Sequence, residues 1–113
     1  MLSGTRLALA AVLLAACTGA SDTRSQLSQS GAILLSWTPV PAPLPFNQLF
    51  DLDVSWIGAD GSPPDTSTTL AVDAQMPAHG HGMQTVPQVT ITGPGQATVK
   101  GMKFHMEGIW ELR

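Results

Sequence analysis

The sequence predicts an all-β protein, a small antiparallel β-sandwich that follows an N-terminal leader. Two observations carry this prediction. Short segments in which apolar and polar residues alternate recur along the chain, and this period-2 pattern is typical of half-buried strands. Turns rich in glycine and proline separate the segments. Because no apolar stripe of helical spacing exceeds two turns beyond the leader, short strands are favoured over helices.

About six strands are expected. The clearest is residues 49–56, where Phe50, Leu52, Val54 and Trp56 fall on one face and the aspartates between them fall on the other. The expected strands are residues 32–37, 49–56, 68–76, 88–92, 96–106 and 109–112. Residues 38–45 hold four prolines, which excludes a helix and predicts an edge or a connecting loop. The last strand is either short or continues beyond the given sequence.

The first sixteen residues have the pattern of a signal peptide. Arg6 precedes an uninterrupted apolar run of ten residues, 7–16, which is too short to span a bilayer because a spanning helix needs about 20 residues. Leu14, Ala15 and Ala16 then precede Cys17, the only cysteine. This segment resembles the lipobox of bacterial lipoproteins. An ordinary secretory signal that happens to contain a cysteine, or a short membrane anchor, are the alternatives.

The lipobox resemblance implies cleavage before Cys17, a diacylglyceryl thioether on that residue and a further acyl chain, such as palmitate, on its amine. Two or more chains anchor a protein stably to a membrane. Thr18 stands after the cysteine; by resemblance to enterobacterial lipoproteins this points to the outer membrane rather than the inner one. The expected organisation is therefore a signal peptide (1–16), a lipidated cysteine with a flexible linker (17–30) and one domain (31–113).

Composition excludes several classes of function. The net charge is −3 and no basic patch is visible, which argues against a nucleic-acid partner. A lipidated Cys17 leaves no cysteine for a disulfide or a thiolate metal ligand. The sequence shows no Ser/His/Asp set, no paired carboxylate site and no phosphate-binding glycine loop, so we do not expect an enzyme.

Histidine and methionine are confined to two segments of the predicted mature chain, residues 76–83 (MPAHGHGM) and 101–110 (GMKFHMEGIW). These segments hold all the histidines and all the methionines of that chain: His79, His81, His105, Met76, Met83, Met102 and Met106. Imidazole and thioether are ligands for copper, and thioether favours Cu(I). The clustering therefore predicts a copper site.

The two segments together resemble the YtkA-like domain family, which is related to FixH-type periplasmic domains. The matching residues of the first segment are Met76, Pro77, His81, Gly82 and Met83, and those of the second are Phe104, Met106, Gly108 and Trp110. The resemblance covers residues 48–113 and implies an immunoglobulin-like β-sandwich. It also implies genomic neighbours that are often related to copper or to cytochrome oxidase. The chain departs from the family in three places: Ala78 or His79 stands where a second methionine is usual, the strand entry Gly95–Gln96–Ala97 lacks a usual tyrosine, and the closing strand is cut short.

Geometry limits the copper prediction. In a straight strand, alternate residues lie roughly 7 Å apart, too far for two ligands at about 2 Å from one ion. Gly80 and Gly82 can bend the segment so that neighbouring side chains converge. The expected ligands are His79, His81 and Met83, completed by His105. The alternative is that these histidines only satisfy backbone groups or face solvent.

The second segment is expected to contribute mainly to the core. Met102, Phe104 and Met106 would share a buried face, whereas His105 would point to solvent or to the first segment. Met76 and Met106 are expected to fill gaps in the core. Trp56 and Trp110 are expected to be core aromatics.

Two functions remain open. The first is a membrane-tethered envelope lipoprotein that binds copper through a His/Met loop. The second is a metal-free immunoglobulin-like domain that binds an envelope protein partner or assists the assembly of an envelope complex.

Overall fold

The computed structural model describes residues 7–8 and 22–113. The predicted cleavage site and Cys17 lie outside the described residues. Within the described part of the chain every regular element is a β-strand and none is a helix, so no segment there could cross a membrane as an apolar helix. Two antiparallel sheets share one core. The predicted all-β fold is confirmed, and the architecture is that of a small β-sandwich.

The larger sheet has five strands in the order β2-β3-β4-β8-β7. Their bounds are Arg24–Leu27 (β2), Ile33–Val40 (β3), Phe50–Gly58 (β4), Gln88–Gly93 (β7) and Gln96–Met102 (β8). All neighbours are antiparallel. Strand β4 is central, and its alternating sequence turns one face to the core and the other to solvent.

The smaller sheet has the order β1-β9-β5-β6, with strands at Leu7–Ala8 (β1), Ala74–Met76 (β5), His81–Gly82 (β6) and Glu111–Leu112 (β9). Strand β1 pairs with the outer side of β9. Because β1 belongs to the predicted signal peptide, cleavage before Cys17 would remove it and leave β9 as an edge strand.

The core lies between the two sheets and consists of residues from β3, β4, β5, β8 and β9 and from the loop between β8 and β9. Its buried apolar members are Leu35, Trp37, Phe50, Leu52, Val54, Trp56, Ala74, Met76, Ala97, Val99, Met102, Phe104, Trp110 and Leu112. Trp56, Trp110 and Met76 are therefore core residues, as predicted. Met106 is exposed, so the prediction that it fills a core gap is wrong.

The prediction of a flexible linker over residues 17–30 is wrong for Arg24–Leu27. These residues form β2 and pair with Leu34–Trp37 of β3. Ser28 closes the connecting turn, because its hydroxyl accepts a hydrogen bond from the Ile33 amide at 3.1 Å. The side chains of β2 are mostly exposed, so a polar sequence is compatible with this edge strand.

Strand β3 extends into the proline-rich segment further than predicted. Pro39 lies in β3 opposite Leu52 and is buried. Strand β2 stops pairing at Trp37, so at Pro39 the strand has a neighbour on one side only. Proline is tolerated at such an edge because its missing N–H faces no partner strand.

Three predicted strands are shorter than expected, and the last of them, 109–112, is reduced to Glu111–Leu112. Of residues 68–76 only Ala74–Met76 is strand; Leu70 and Val72 still pack against the core, but no described strand pairs with them. Strand β8 ends at Met102, after a register shift opposite Phe50 and Leu52. Gly101 has a φ of +90° at this irregularity, as expected for a bulge that re-aims the chain.

Gly95 is the glycine whose conformation the larger sheet requires. It has a φ of +67°, and a Cβ there would lie 2.5 Å from the Trp56 carbonyl oxygen and 2.7 Å from Pro64 Cγ. The backbone of Trp56 is also bonded to this turn, because its amide donates a hydrogen bond to the Gly95 carbonyl oxygen at 2.8 Å. The β7–β8 turn is therefore packed closely against the end of β4.

Replacing Gly95 with alanine should destabilise the fold by at least about 2 kcal/mol, because left-handed backbone alone costs an L-residue roughly 1–2 kcal/mol and the overlap adds to it. Urea unfolding of the purified protein measures the change. Gly61→Ala is the matched control, since Gly61 also has a positive φ but a Cβ there meets no atom within 4 Å. Equal losses in the two variants would contradict the close packing of the turn.

Candidate metal site

The first histidine segment folds as the tight hairpin between β5 and β6. The Met76 carbonyl accepts hydrogen bonds from the amides of His79 at 3.1 Å and Gly80 at 3.0 Å. Pro77 suits the start of this turn because its φ is already restricted, and Gly80 closes it with a φ of +67°. The segment is thus bent rather than extended, and the bend lies at one of the two glycines expected to provide it.

Gly82 has a different role from Gly80. Its φ is not positive, and it lies in β6 opposite Gln75. A Cβ at Gly82 would be 3.2 Å from the Ala74 carbonyl oxygen, so glycine permits the close approach of β6 to β5. His81 is therefore held directly opposite the buried Met76.

The second segment forms a loop between β8 and β9 that is fixed by an aromatic stack. The Phe104 ring stacks on Trp110 with centroids 4.7 Å apart and planes at 13°, and it meets Phe50 edge-on at 5.1 Å. The Trp110 indole N–H donates to the Met106 carbonyl at 3.0 Å. Asn47 also donates its amide to the Phe104 carbonyl at 2.9 Å. These two hydrogen bonds and the ring contacts together fix the position of the loop.

The two segments bring all three histidines together. The ring centroids of His79 and His81 lie 5.8 Å apart, and those of His81 and His105 lie 5.4 Å apart. Trp110 contacts two of the rings, His105 at 5.5 Å and His81 at 6.2 Å, in edge-to-face geometry. The three histidines form a row with His81 in the middle, and we call this row the histidine cluster.

Exposure decreases along the histidine cluster. His79 is exposed, whereas His81 and His105 are partly buried. His81 Nδ1 lies 3.2 Å from the Gly82 carbonyl oxygen. If the proton is on Nδ1, this ring donates to that carbonyl and keeps the Nε2 lone pair free, which is the usual arrangement of a metal-binding histidine.

His105 has an unsatisfied ring nitrogen. Its Nδ1 is buried and has no hydrogen-bond partner among the described residues. A buried polar atom without a partner costs about 1–3 kcal/mol. A cation bound at this nitrogen would remove that cost, so the ring fits a metal ligand better than a residue that merely satisfies the backbone.

The spacing of the rings in the histidine cluster suits a metal chelate, whereas the three side chains are not aimed at one point. With metal–nitrogen bonds of about 2.0–2.1 Å, two imidazoles on one ion have ring centroids roughly 4.5–6 Å apart, and both neighbouring pairs fall in this range. Yet within the described part of the chain no three His, Cys, Asp or Glu side chains are placed so that they could hold one ion together. Side-chain rotation would be needed to aim the nitrogens at one point.

The methionines divide between the core and the surface. Met76 and Met102 are fully buried, and Met83 is partly buried and packs against the core. Met76 pairs with His81 across β5 and β6, and directly opposite residues share a face. The expectation that Met83 is a ligand is neither supported nor opposed by these contacts.

Trp110 is the residue of this site that sequence reasoning missed. It was predicted as a core aromatic and as a residue of the second family motif, but not as part of the site; it is indeed buried, and its ring also borders His81 and His105. A possible signal was its position five residues after His105, close enough for one loop to hold both.

Comparisons with models of known protein families, with curated proteins and with solved structures found no match.

Proposed function

We propose that the protein is a lipid-anchored envelope protein that binds one copper ion at the histidine cluster. His79, His81 and His105 would supply imidazole nitrogens, and Met83 a thioether. The observation that carries this proposal is the convergence of all three histidines of the chain, from two segments far apart in sequence, into one row of adjacent rings. The unpartnered Nδ1 of His105 supports it.

The ligand chemistry favours copper over other metals. Imidazole is a ligand for zinc, copper, iron and nickel, whereas thioether ligands favour Cu(I). Met76 lies opposite His81, and Trp110 contacts two of the imidazole rings, so a thioether-bearing residue and an aromatic ring border the row. Cu(I) also tolerates two or three ligands, so a row of three imidazoles can bind it after modest side-chain rotation.

The position of the cluster fits binding and release rather than catalysis. His79 is exposed, while His81 and His105 are partly buried and contact Trp110. An ion could therefore be handed over from the exposed end of the row. We propose no enzymatic activity and no nucleic-acid partner.

The proposed anchor is the lipid on Cys17, with residues 1–16 as the signal peptide. Its support is the pattern of Arg6, an apolar run and three small or aliphatic residues before a sole cysteine. By the same resemblance we propose a periplasmic-facing location, on the outer membrane rather than the inner one. The proposed relationship to YtkA-like domains depends on the two histidine-bearing segments.

His81→Ala should weaken Cu(I) binding roughly 100-fold or more, because even outer-shell partners of a metal ligand contribute 10–100-fold and His81 is the central ring. Competition with a chromophoric Cu(I) chelator under reducing, anaerobic conditions measures the affinity and should give one ion per wild-type chain. Zn²⁺ should compete poorly.

Met106→Leu is the matched control, since Met106 is exposed and is not among the proposed ligands; it should bind Cu(I) like the wild type. A wild-type protein that leaves the chelator fully loaded, and whose melting temperature copper does not change, would exclude the copper site.

Cys17→Ser should abolish lipidation and release the protein from the membrane fraction, because a single cysteine carries the whole anchor. Labelled palmitate incorporation and fractionation of the cell envelope measure the two effects. A variant that stays in the membrane fraction to the same extent as the wild type would contradict the proposed anchor.

A second candidate function, a metal-free interaction domain, is favoured by one observation. The outer side of β9 pairs with Leu7–Ala8, and removal of the signal peptide would free this edge. Free edges accept strands from partner proteins. Crosslinking from a photoreactive residue placed at Glu111 in intact cells should then capture one defined envelope protein; capture of none would remove the support for this candidate.

A further inference from the structure

We infer that the end of the sandwich that carries the histidine cluster rests on the lipid bilayer, with the exposed apolar side chains of residues 40–49 inserted at the interface. We call residues 40–49 the proline loop. The inference rests on the proposed lipidation of Cys17 and adds an orientation to it.

The chain between the proposed lipid and the domain is short. Strand β2 begins at Arg24 and is paired from that residue onward, and Asp22 already lines an internal cavity. Cys17 stands five positions before Asp22, so this connection spans at most about 18 Å. The point at which the chain enters the domain is thereby kept close to the membrane.

The contacts of Asp22 and Thr23 identify the end of the domain at which the chain enters. The Thr23 hydroxyl is 2.7 Å from that of Thr38, near the last residues of β3. Asp22, Leu44 and Phe104 line the same small cavity of about 10 Å³. The start of the domain, the proline loop and the loop of the second histidine segment therefore meet at one end, which we call the anchored end.

The anchored end exposes apolar side chains. The proline loop exposes Leu49 (65 %), Phe46 (54 %) and Val40 (44 %). Val86 (78 %) also lies at this end, because its carbonyl group is beside Gly101 at the end of β8. Exposed aromatic and aliphatic side chains grouped at one end are the type of surface that inserts at a membrane interface.

The charge around these residues identifies the kind of contact. Asp51 pairs with Val40 in the ladder, and Lys100 and Lys103 lie at the end of β8 and just beyond it. Acidic and basic groups are thus mixed, without the excess of basic residues that anionic lipids attract. The contact is expected to depend on apolar insertion and to need no particular headgroup.

The opposite end of the sandwich is out of reach of the same contact. Leu27, Leu34, Ile57 and Ile91 are exposed there, on β2, β3, β4 and β7 at the ends remote from the proline loop. Strand β4 has nine residues and so spans about 30 Å. With a connection of at most about 18 Å, an upright domain places Phe46 at the bilayer and Ile91 in water.

This orientation also places the histidine cluster close to the membrane. The Asn47 amide in the proline loop donates to the Phe104 carbonyl, one residue before His105. A metal ion at the cluster would be accessible from the side of the bilayer, where an integral membrane protein could exchange it.

The test uses the mature lipoprotein, processed from the full precursor and reconstituted in vesicles of phosphatidylethanolamine and phosphatidylglycerol. Because Cys17 carries the lipid, an introduced cysteine is the only free thiol and takes a nitroxide label. Labels at Phe46→Cys and Leu49→Cys should be shielded from a water-soluble nickel chelate and accessible to oxygen, which concentrates in the bilayer. Ile91→Cys is the matched control and should show the reverse.

A further variant distinguishes shielding of the label by the bilayer from shielding by neighbouring parts of the protein. With the label at Val40→Cys, replacing Phe46 and Leu49 together by serine should remove the shielding from nickel. Mass spectrometry of Cys17 first verifies the lipid, so a missing anchor is distinguished from a wrong orientation. In verified lipoprotein, labels at positions 46 and 49 that are open to nickel, or shielded from both reagents as in a protein contact, would overturn the inference, as would shielding at Ile57→Cys instead.

Discussion

The stack of Phe50, Phe104 and Trp110 is the contact on which the rest of the structure depends. Phe50 begins the central strand of the larger sheet, and Trp110 directly precedes β9 of the smaller one. Each aromatic pair contributes about 0.5–1.5 kcal/mol beyond its buried area. The stack joins the two sheets, fixes the loop that carries His105 and presents the Trp110 edge to two histidines. Core and candidate site are therefore one unit.

The strands that were predicted correctly are those that bury one face. In β4 and β8, alternate apolar residues pack on the core, so a period-2 pattern was sufficient. Strand β2 was missed because its residues are polar and it packs at an edge, where backbone pairing and the Ser28 turn hold it. Residues 68–73 show the opposite error: Leu70 and Val72 do pack, but a strand also needs a neighbour, which alternation cannot reveal.

The candidate site was predictable in part for similar reasons. Residue types and the Gly80 bend sufficed to bring His79 beside His81. The approach of His105 required the fold, because the bulge at Gly101 and the aromatic stack set the course of the second segment. Met106 was wrongly placed in the core because the strand was assumed to continue past Met102.

The histidine cluster and the proposed anchor lie at the same end of the domain. The ordered β2 shortens the connection from the proposed lipid, and the same end of the sandwich holds the proline loop and the histidine cluster. A domain free to tumble would present the cluster in all directions. A domain held at its anchored end presents the cluster to whatever lies in or on the membrane, so the function proposed for the histidines and the position of the anchor are physically coupled.

The most direct measurement is the NMR spectrum of the imidazole nitrogens during titration with Cu(I), which is diamagnetic and leaves the signals visible. If the three rings bind one ion, the ring-nitrogen signals of His79, His81 and His105 shift together and stop changing at one equivalent of Cu(I). In each ring, the nitrogen that binds the ion then loses the chemical shift typical of an unprotonated nitrogen. Signals that stay unchanged, or a change confined to the exposed His79, would contradict the claim that the three rings form one site.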